Sequence, residues 1–137
     1  MDSNVLAALM VPQAPGSREV RRAVVAAARA GETFITPVFC IGEFWRVVTE
    51  PRGYGAEASE ALDFLRRWSQ QAPVAHSNRR FETRFLGQLE RQQPRGAAVF
   101  DLAIGLLALE RGADELWTFD ARFPPIEGLS IVNPASR

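Results

Sequence analysis

Of only five aspartates in the chain, three occupy places that surface decoration does not explain, and one glutamate joins them. Asp101 interrupts Ala97-Ala98-Val99-Phe100-Asp101-Leu102-Ala103-Ile104, a stretch that is apolar on nearly all sides of a helix. A helix of that kind is buried, and an isolated buried carboxylate costs on the order of several kcal/mol unless it is neutralised or paired. At helical spacing Asp101 shares a stripe with Ala98, Gly105 and Ala108, all small. Two readings stand for it: a first-turn acid favoured by the helix dipole, or a carboxylate at the mouth of a groove. Glu43 has apolar neighbours on both sides in 38–48, and its plain alternative is a helix-face pair with Arg46 at i+3. Asp120 directly follows the strand-like run Leu116-Trp117-Thr118-Phe119, where a turn aspartate is the alternative. Asp2, taken alone, reads as an N-cap.

Together the four acids suggest one chemistry. Converging carboxylates repel one another unless cations hold them, and hard oxygen ligands suit Mg²⁺ or Mn²⁺. Such ions activate water and offset charge on a phosphodiester. Other chemistries are short of parts. The chain has one Cys and one His, which excludes an internal disulfide and an ordinary His/Cys zinc site. His76 closes a short strand in 73–77 and is expected on the surface. Sixteen basic residues, all Arg, balance sixteen acids, so no net positive field draws in nucleic acid. Attraction to RNA would have to come from a local patch or from bound cations.

The elements that must position these acids follow from periodicity and punctuation. Helical spacing appears at Val5, Leu6, Leu9 and Met10, then over 17–30 up to Gly31. Residues 33–36 read as a short strand, and Pro37 opens a helix that ends before the Pro51-Arg52-Gly53-Tyr54-Gly55 loop. A helix over 56–71 faces inward with Ala58, Ala61, Leu62, Leu65 and Trp68. A strand starts at Val74. Residues 79–92 form a polar helix with Phe81, Phe85, Leu86 and Leu89 as its buried stripe. The helix over 97–111 is followed by strands at 115–119 and 129–132. Helices alternating with short strands imply an α/β fold with a parallel sheet. Sites in such sheets form beyond the carboxyl ends of the strands. One domain over 1–137 is expected from the length.

These residues resemble the PIN-domain ribonucleases. Asp2-Ser3-Asn4-Val5-Leu6 is similar to their opening motif, an aspartate ending the first strand followed by a small hydroxyl residue and often Asn. The run from Gly42-Glu43-Phe44-Trp45-Arg46 to Pro51-Arg52 resembles the helix-plus-loop of a VapC-type toxin subgroup. Phe100-Asp101-Leu102 through Arg111-Gly112 is similar to the third acidic motif, and Leu116 through Phe123 to the fourth. The segment from Gly128-Leu129 to Asn133-Pro134 resembles the closing strand. The resemblance implies a three-layer α/β/α fold with a short five-stranded parallel sheet, and Mg²⁺- or Mn²⁺-dependent cleavage of RNA. It implies Asp2 and Asp101 as principal metal ligands, with Glu43 and Asp120 completing the acidic cluster directly or through water. Asn4 and Thr118 would orient ligands or substrate. Arg46 and Arg122 are candidates for holding phosphate, though surface salt bridges explain both equally well.

It further implies a cognate antitoxin and a homodimer. Housekeeping RNA maturation, or a PIN fold that binds without cutting, are the competing readings. One departure stands out: only Met1 precedes Asp2, where the family has several apolar residues, so either the sequence begins late relative to the native gene product or the first strand is curtailed, and in either case weakened metal binding is expected. No targeting or membrane-spanning segment is read, and a cytoplasmic location is expected.

Overall fold

The computed structural model describes all 137 residues. Ser3–Met10 forms α1, with Asp2 in extended conformation as its N-cap, and Ser17–Arg29 forms α2. Thr36–Pro37 forms β1 and runs without a break into α3, Val38–Thr49. Then come α4 (Ala58–Gln71), β2 (Val74–Ala75), α5 (Arg79–Gln92), α6 (Ala98–Glu110), β3 (Glu115–Trp117) and β4 (Ser130–Val132). Asn78 starts α5 by accepting from the Phe81 N–H, as expected of an N-cap. No helix is long and apolar enough to cross a membrane.

The strands pair in parallel, so the expected α/β class holds, but the expected five-stranded sheet does not form. Instead, β1 pairs with β2 and β3 with β4, in two separate ladders. Met1 and Asp2 lie between them. The Met1 ammonium donates to Ile35 O at 2.8 Å, and the Asp2 N–H donates to Trp117 O at 3.0 Å. Two residues supply one bond to each neighbour, too few to make a ladder. The strand expected at 33–36 shrinks for the same reason: 33–35 face a gap where a neighbour would pair with them. A cavity of about 510 Å³ fills that gap, lined by Met1, 33–35 and the Glu115 and Trp117 edge of β3. Arg137 crosses between its sides, holding Glu32 at 2.7 and 2.8 Å and lying 4.8 Å over the Trp117 ring.

The core is built from both sides of these strands. α3 and α6 both pack on β1, α1 packs on α2 and α3, and α5 packs on α6. From Leu102 to Ala108 every residue of α6 is buried, as its all-round apolar sequence demands. Phe44 is fully buried and stacks on Phe64, which in turn stacks on Trp68. Trp68 Nε1 donates to Thr36 Oγ1, tying α4 to β1. Far from Asp101 on α6, Glu110 is shielded from solvent and held by Arg84 at 2.7 Å and Arg80 at 3.0 Å. Two stripes are narrower than their periodicity suggested: Ala58 and Leu62 on α4 and Leu86 on α5 are exposed, because no element covers those sides. His76 is exposed, as expected.

The small-residue stripe of α6 packs tightly rather than leaving a groove. A Cβ on Gly105 would lie 2.8 Å from Ile126 Cγ1, with Phe123 also in contact range. Ile126 Cγ1 is an inner branch atom and cannot swing clear. Gly105→Ala is therefore expected to destabilise the fold by about 1–3 kcal/mol. Chemical denaturation measures it, and an unchanged midpoint would show that the loop over α6 yields freely.

Candidate active site

Four elements bring the acids together. Asp2 ends the stub between β1 and β3 and caps α1. Glu43 lies on α3, which leaves directly from the carboxyl end of β1. Asp101 is in the first turn of α6. Asp120 follows β3, whose pairing continues to Thr118 through a bond from its N–H to Val132 O. The edge where parallel strands end is thus lined with negative oxygens, as the Asp120 position suggested.

Asp2 is the most constrained of them and is almost fully buried. Its Oδ1 accepts from the Ser3 N–H at 2.6 Å and approaches Ser3 Oγ at 3.2 Å. Its Oδ2 accepts from Asn4 Nδ2 at 2.9 Å and from Thr118 Oγ1 at 2.6 Å. Thr118 Oγ1 also accepts from Asn4 Nδ2 and from the Asp120 N–H, each at 3.0 Å. The Phe119 N–H donates to Asn4 Oδ1, which fixes the Asn4 amide. Asn4 and Thr118 therefore hold Asp2 and link α1 to the end of β3.

Ser3 went unassigned in the sequence reading. Its Oγ lies 2.7 Å from Glu43 Oε2 as well as 3.2 Å from Asp2 Oδ1. A hydroxyl has one proton, and the shorter contact takes it. The Ser3 hydroxyl thus holds Glu43 while its backbone N–H holds Asp2 Oδ1, and one lone pair of Oδ1 stays uncommitted. The signal was a hydroxyl residue directly after the aspartate, which reads equally well as a helix-capping type.

The electrostatics show that the acids share one field. Burial raises the Asp2 carboxyl above the ordinary aspartate range; hydrogen bonds from Thr118 and Ser3 oppose this, and Glu43 adds repulsion. Asp101 is raised first by burial, then by the negative charges of Asp2, Asp120 and Glu43, with Arg122 opposing. Asp120 Oδ1 accepts from the Arg122 N–H at 2.8 Å, and Arg122 Nε lies 3.5 Å away. Asp120 is therefore a turn aspartate as well as a member of the cluster. The Arg122 side chain is 93% exposed and free to turn. Arg46 is exposed on α3 and makes no salt bridge, so the i+3 pairing with Glu43 does not form.

The donor set suits a hydrated hard cation. No three of the chain's His, Cys, Asp and Glu side chains are close enough to grasp one ion between them. Mg²⁺ does not require that: it keeps several waters and takes one or two carboxylates directly. Asp2 and Asp101 are the candidates for such direct contact, and Glu43 and Asp120 add negative charge at the same edge.

A pH dependence follows with a defined sign. Folded-state values of Asp2 and Asp101 above the ordinary value mean that the folded chain binds protons more tightly than the unfolded one. Their contribution to stability is complete below the ordinary aspartate value, near 3.8, and is lost as pH rises through the raised range. A divalent cation binds the deprotonated forms and reverses this loss. Mn²⁺ at about 100 times its Kd should add ~2.7 kcal/mol at pH 7, and clearly less at pH 5. Thermal melts at both values check this; equal shifts would mean that these carboxylates do not hold the ion.

A short parallel α/β domain with carboxylates gathered at the strand ends defines a class of acidic-site proteins. The family model for the PIN domain matches residues 1–129, and the chain belongs to that family. The match ends just before β4. PIN domains are generally nucleases, acting on nucleic acid and typically using divalent metals. No curated protein matches the chain.

Proposed function

We propose that the chain is a divalent-metal-dependent endoribonuclease, and that it serves as the toxin of a toxin–antitoxin pair of the VapC type. One observation supports this above the others: Asp101 feels the charges of Asp2, Asp120 and Glu43, residues up to 118 positions apart in sequence. Capping, turn and helix-dipole roles account for Asp2, Asp120 and Asp101 one by one, but not for their meeting with Glu43 at one edge. A bound Mg²⁺ or Mn²⁺ would activate water and offset charge on the phosphodiester.

The chain's own residues do the rest. Asp2 and Asp101 would hold the ion, and Glu43 and Asp120 would add to the negative charge that retains it. The Ser3 N–H, Asn4 and Thr118 fix the orientation of the Asp2 carboxylate. Arg122, exposed at the rim beside Asp120, and Arg46, unpaired on α3, take phosphate oxygens of the RNA. A cognate antitoxin and a second copy of the chain are the partners of this reading. Exposed Phe100 and Trp45 offer them apolar surface, whereas Trp68 is buried and Phe64 packs against the core.

The carboxylate spacing supports a second reading, a PIN fold that binds RNA without cutting it, since no trio is close enough for direct ligation. A labelled RNA mixture incubated with the chain and excess Mn²⁺ separates the two. Cleavage abolished by a chelator is expected; RNA retained but intact would establish the binding module instead.

A further inference from the structure

A recess of about 340 Å³ opens beside the acidic cluster, where β3 and β4 end. Thr118 and Asp120 line it, so recess and cluster share two residues. Buried Phe123 and half-buried Ile131 give it apolar walls, and Ala121, Pro125 and Asn133, the last just past β4, form its exposed rim. Asn133 Oδ1 accepts from the Ala135 N–H at 2.9 Å. That bond fixes the amide's orientation and leaves both Nδ2 hydrogens without an acceptor. Asp120 commits only Oδ1, to Arg122. The recess thus combines flat apolar sides, a free pair of N–H donors, and a carboxylate of the metal-binding edge.

A planar ring with an acceptor on its edge matches this description, and its attached phosphate would lie toward Asp120. We propose that the recess takes the base of a nucleotide next to the bond being cut. Asn133 then favours bases with a keto oxygen at the edge, uracil or guanine, over cytosine or adenine, whose amino group there would meet another donor. The site rests on the nuclease reading for its purpose, but its occupancy can be measured without cleavage.

Asn133→Asp isolates the effect. Aspartate preserves the cap on Ala135, since it accepts as asparagine does, but exchanges the free donor for an acceptor. In metal-free titrations followed by NMR, uridine and guanosine should shift the amides of Thr118, Asp120 and Phe123 and the Asn133 side chain. Cytidine and adenosine should bind roughly three- to tenfold more weakly, the scale of one hydrogen bond, and N133D should reverse the order. No shift with any nucleoside, or the same order in N133D, overturns the proposal whether or not the chain cuts RNA. Cleavage of a random RNA pool should then show a base preference at one position beside the cut, altered in N133D at that position alone. Nucleoside binding without cleavage would overturn the nuclease reading and leave the base site standing; cleavage with an unchanged preference would overturn the base site.

Discussion

Asp101→Asn is expected to lower Mn²⁺-dependent RNA cleavage by more than ~100-fold while leaving the fold intact. The bound follows from a comparison: groups that merely support a ligand are worth ~10–100-fold in metal affinity, and Asp101 is assigned as a ligand itself. Folding should tolerate the change because two effects oppose. Asn removes a charge that Asp2, Asp120 and Glu43 repel and that burial penalises. It also removes a first-turn carboxylate from α6, worth about 0.3–1 kcal/mol through the helix dipole. The metal-free melting temperature should therefore stay within a few degrees of the unaltered chain, and the rise on adding Mn²⁺ should largely disappear. Melting curves and cleavage rates on the same preparation check both halves. Equal cleavage by both proteins would place the activity elsewhere.

Adding four apolar residues ahead of Met1 is expected to stabilise the chain by about 2–4 kcal/mol. The cavity between 33–35 and β3 presents polar backbone on both sides. The β3–β4 ladder turns Asp114, Leu116 and Thr118 toward β4, which leaves Glu115 and Trp117 facing the gap. Four inserted residues would bury apolar side chains worth ~1.5–3 kcal/mol each and gain several ladder hydrogen bonds of ~1 kcal/mol. Ordering them costs ~1–2 kcal/mol per backbone unit plus side-chain entropy. The extension also replaces the Met1 ammonium, whose burial lowers its proton affinity, with an uncharged amide. A rise in melting temperature on the order of 10 °C follows. Mn²⁺ affinity should rise with it, because Asp2 would then end a paired strand rather than a two-residue stub. Calorimetric titration of both proteins decides; equal melting temperatures would mean that the gap is already well packed by its walls, and equal affinities that the stub holds Asp2 firmly enough.

Helices were legible in the sequence almost to the residue, because their signals are local. Asn78, with Phe81 three positions on, marks the start of α5, and 79–92 matches the observed helix end to end. The apolar run after Asp101 foretold burial on all sides from Leu102 to Ala108, whereas the first turn, with Phe100 exposed, lies open. Strands were less legible. The expected 33–36 and 115–119 became Thr36–Pro37 and Glu115–Trp117, since a strand exists only where another segment completes its hydrogen bonds. The same dependence misplaced Leu62 and Leu86: periodicity gives a helix an apolar side, and only a neighbour can cover it.

For the candidate site, residue types were fixed by the sequence alone. A chain with one histidine, one cysteine and acids inside apolar runs has oxygen ligands as its chief chemical resource. Tertiary structure decided which oxygens meet and on what terms. It held Glu43 and Asp2 on two different groups of Ser3, the hydroxyl and the backbone N–H, left Arg46 unpaired, and set Asp120 between a turn and a recess. It also closed the small-residue stripe of α6 with Ile126 instead of leaving a groove there. Residue type is a property of the position, whereas distance between charges depends on how remote elements pack.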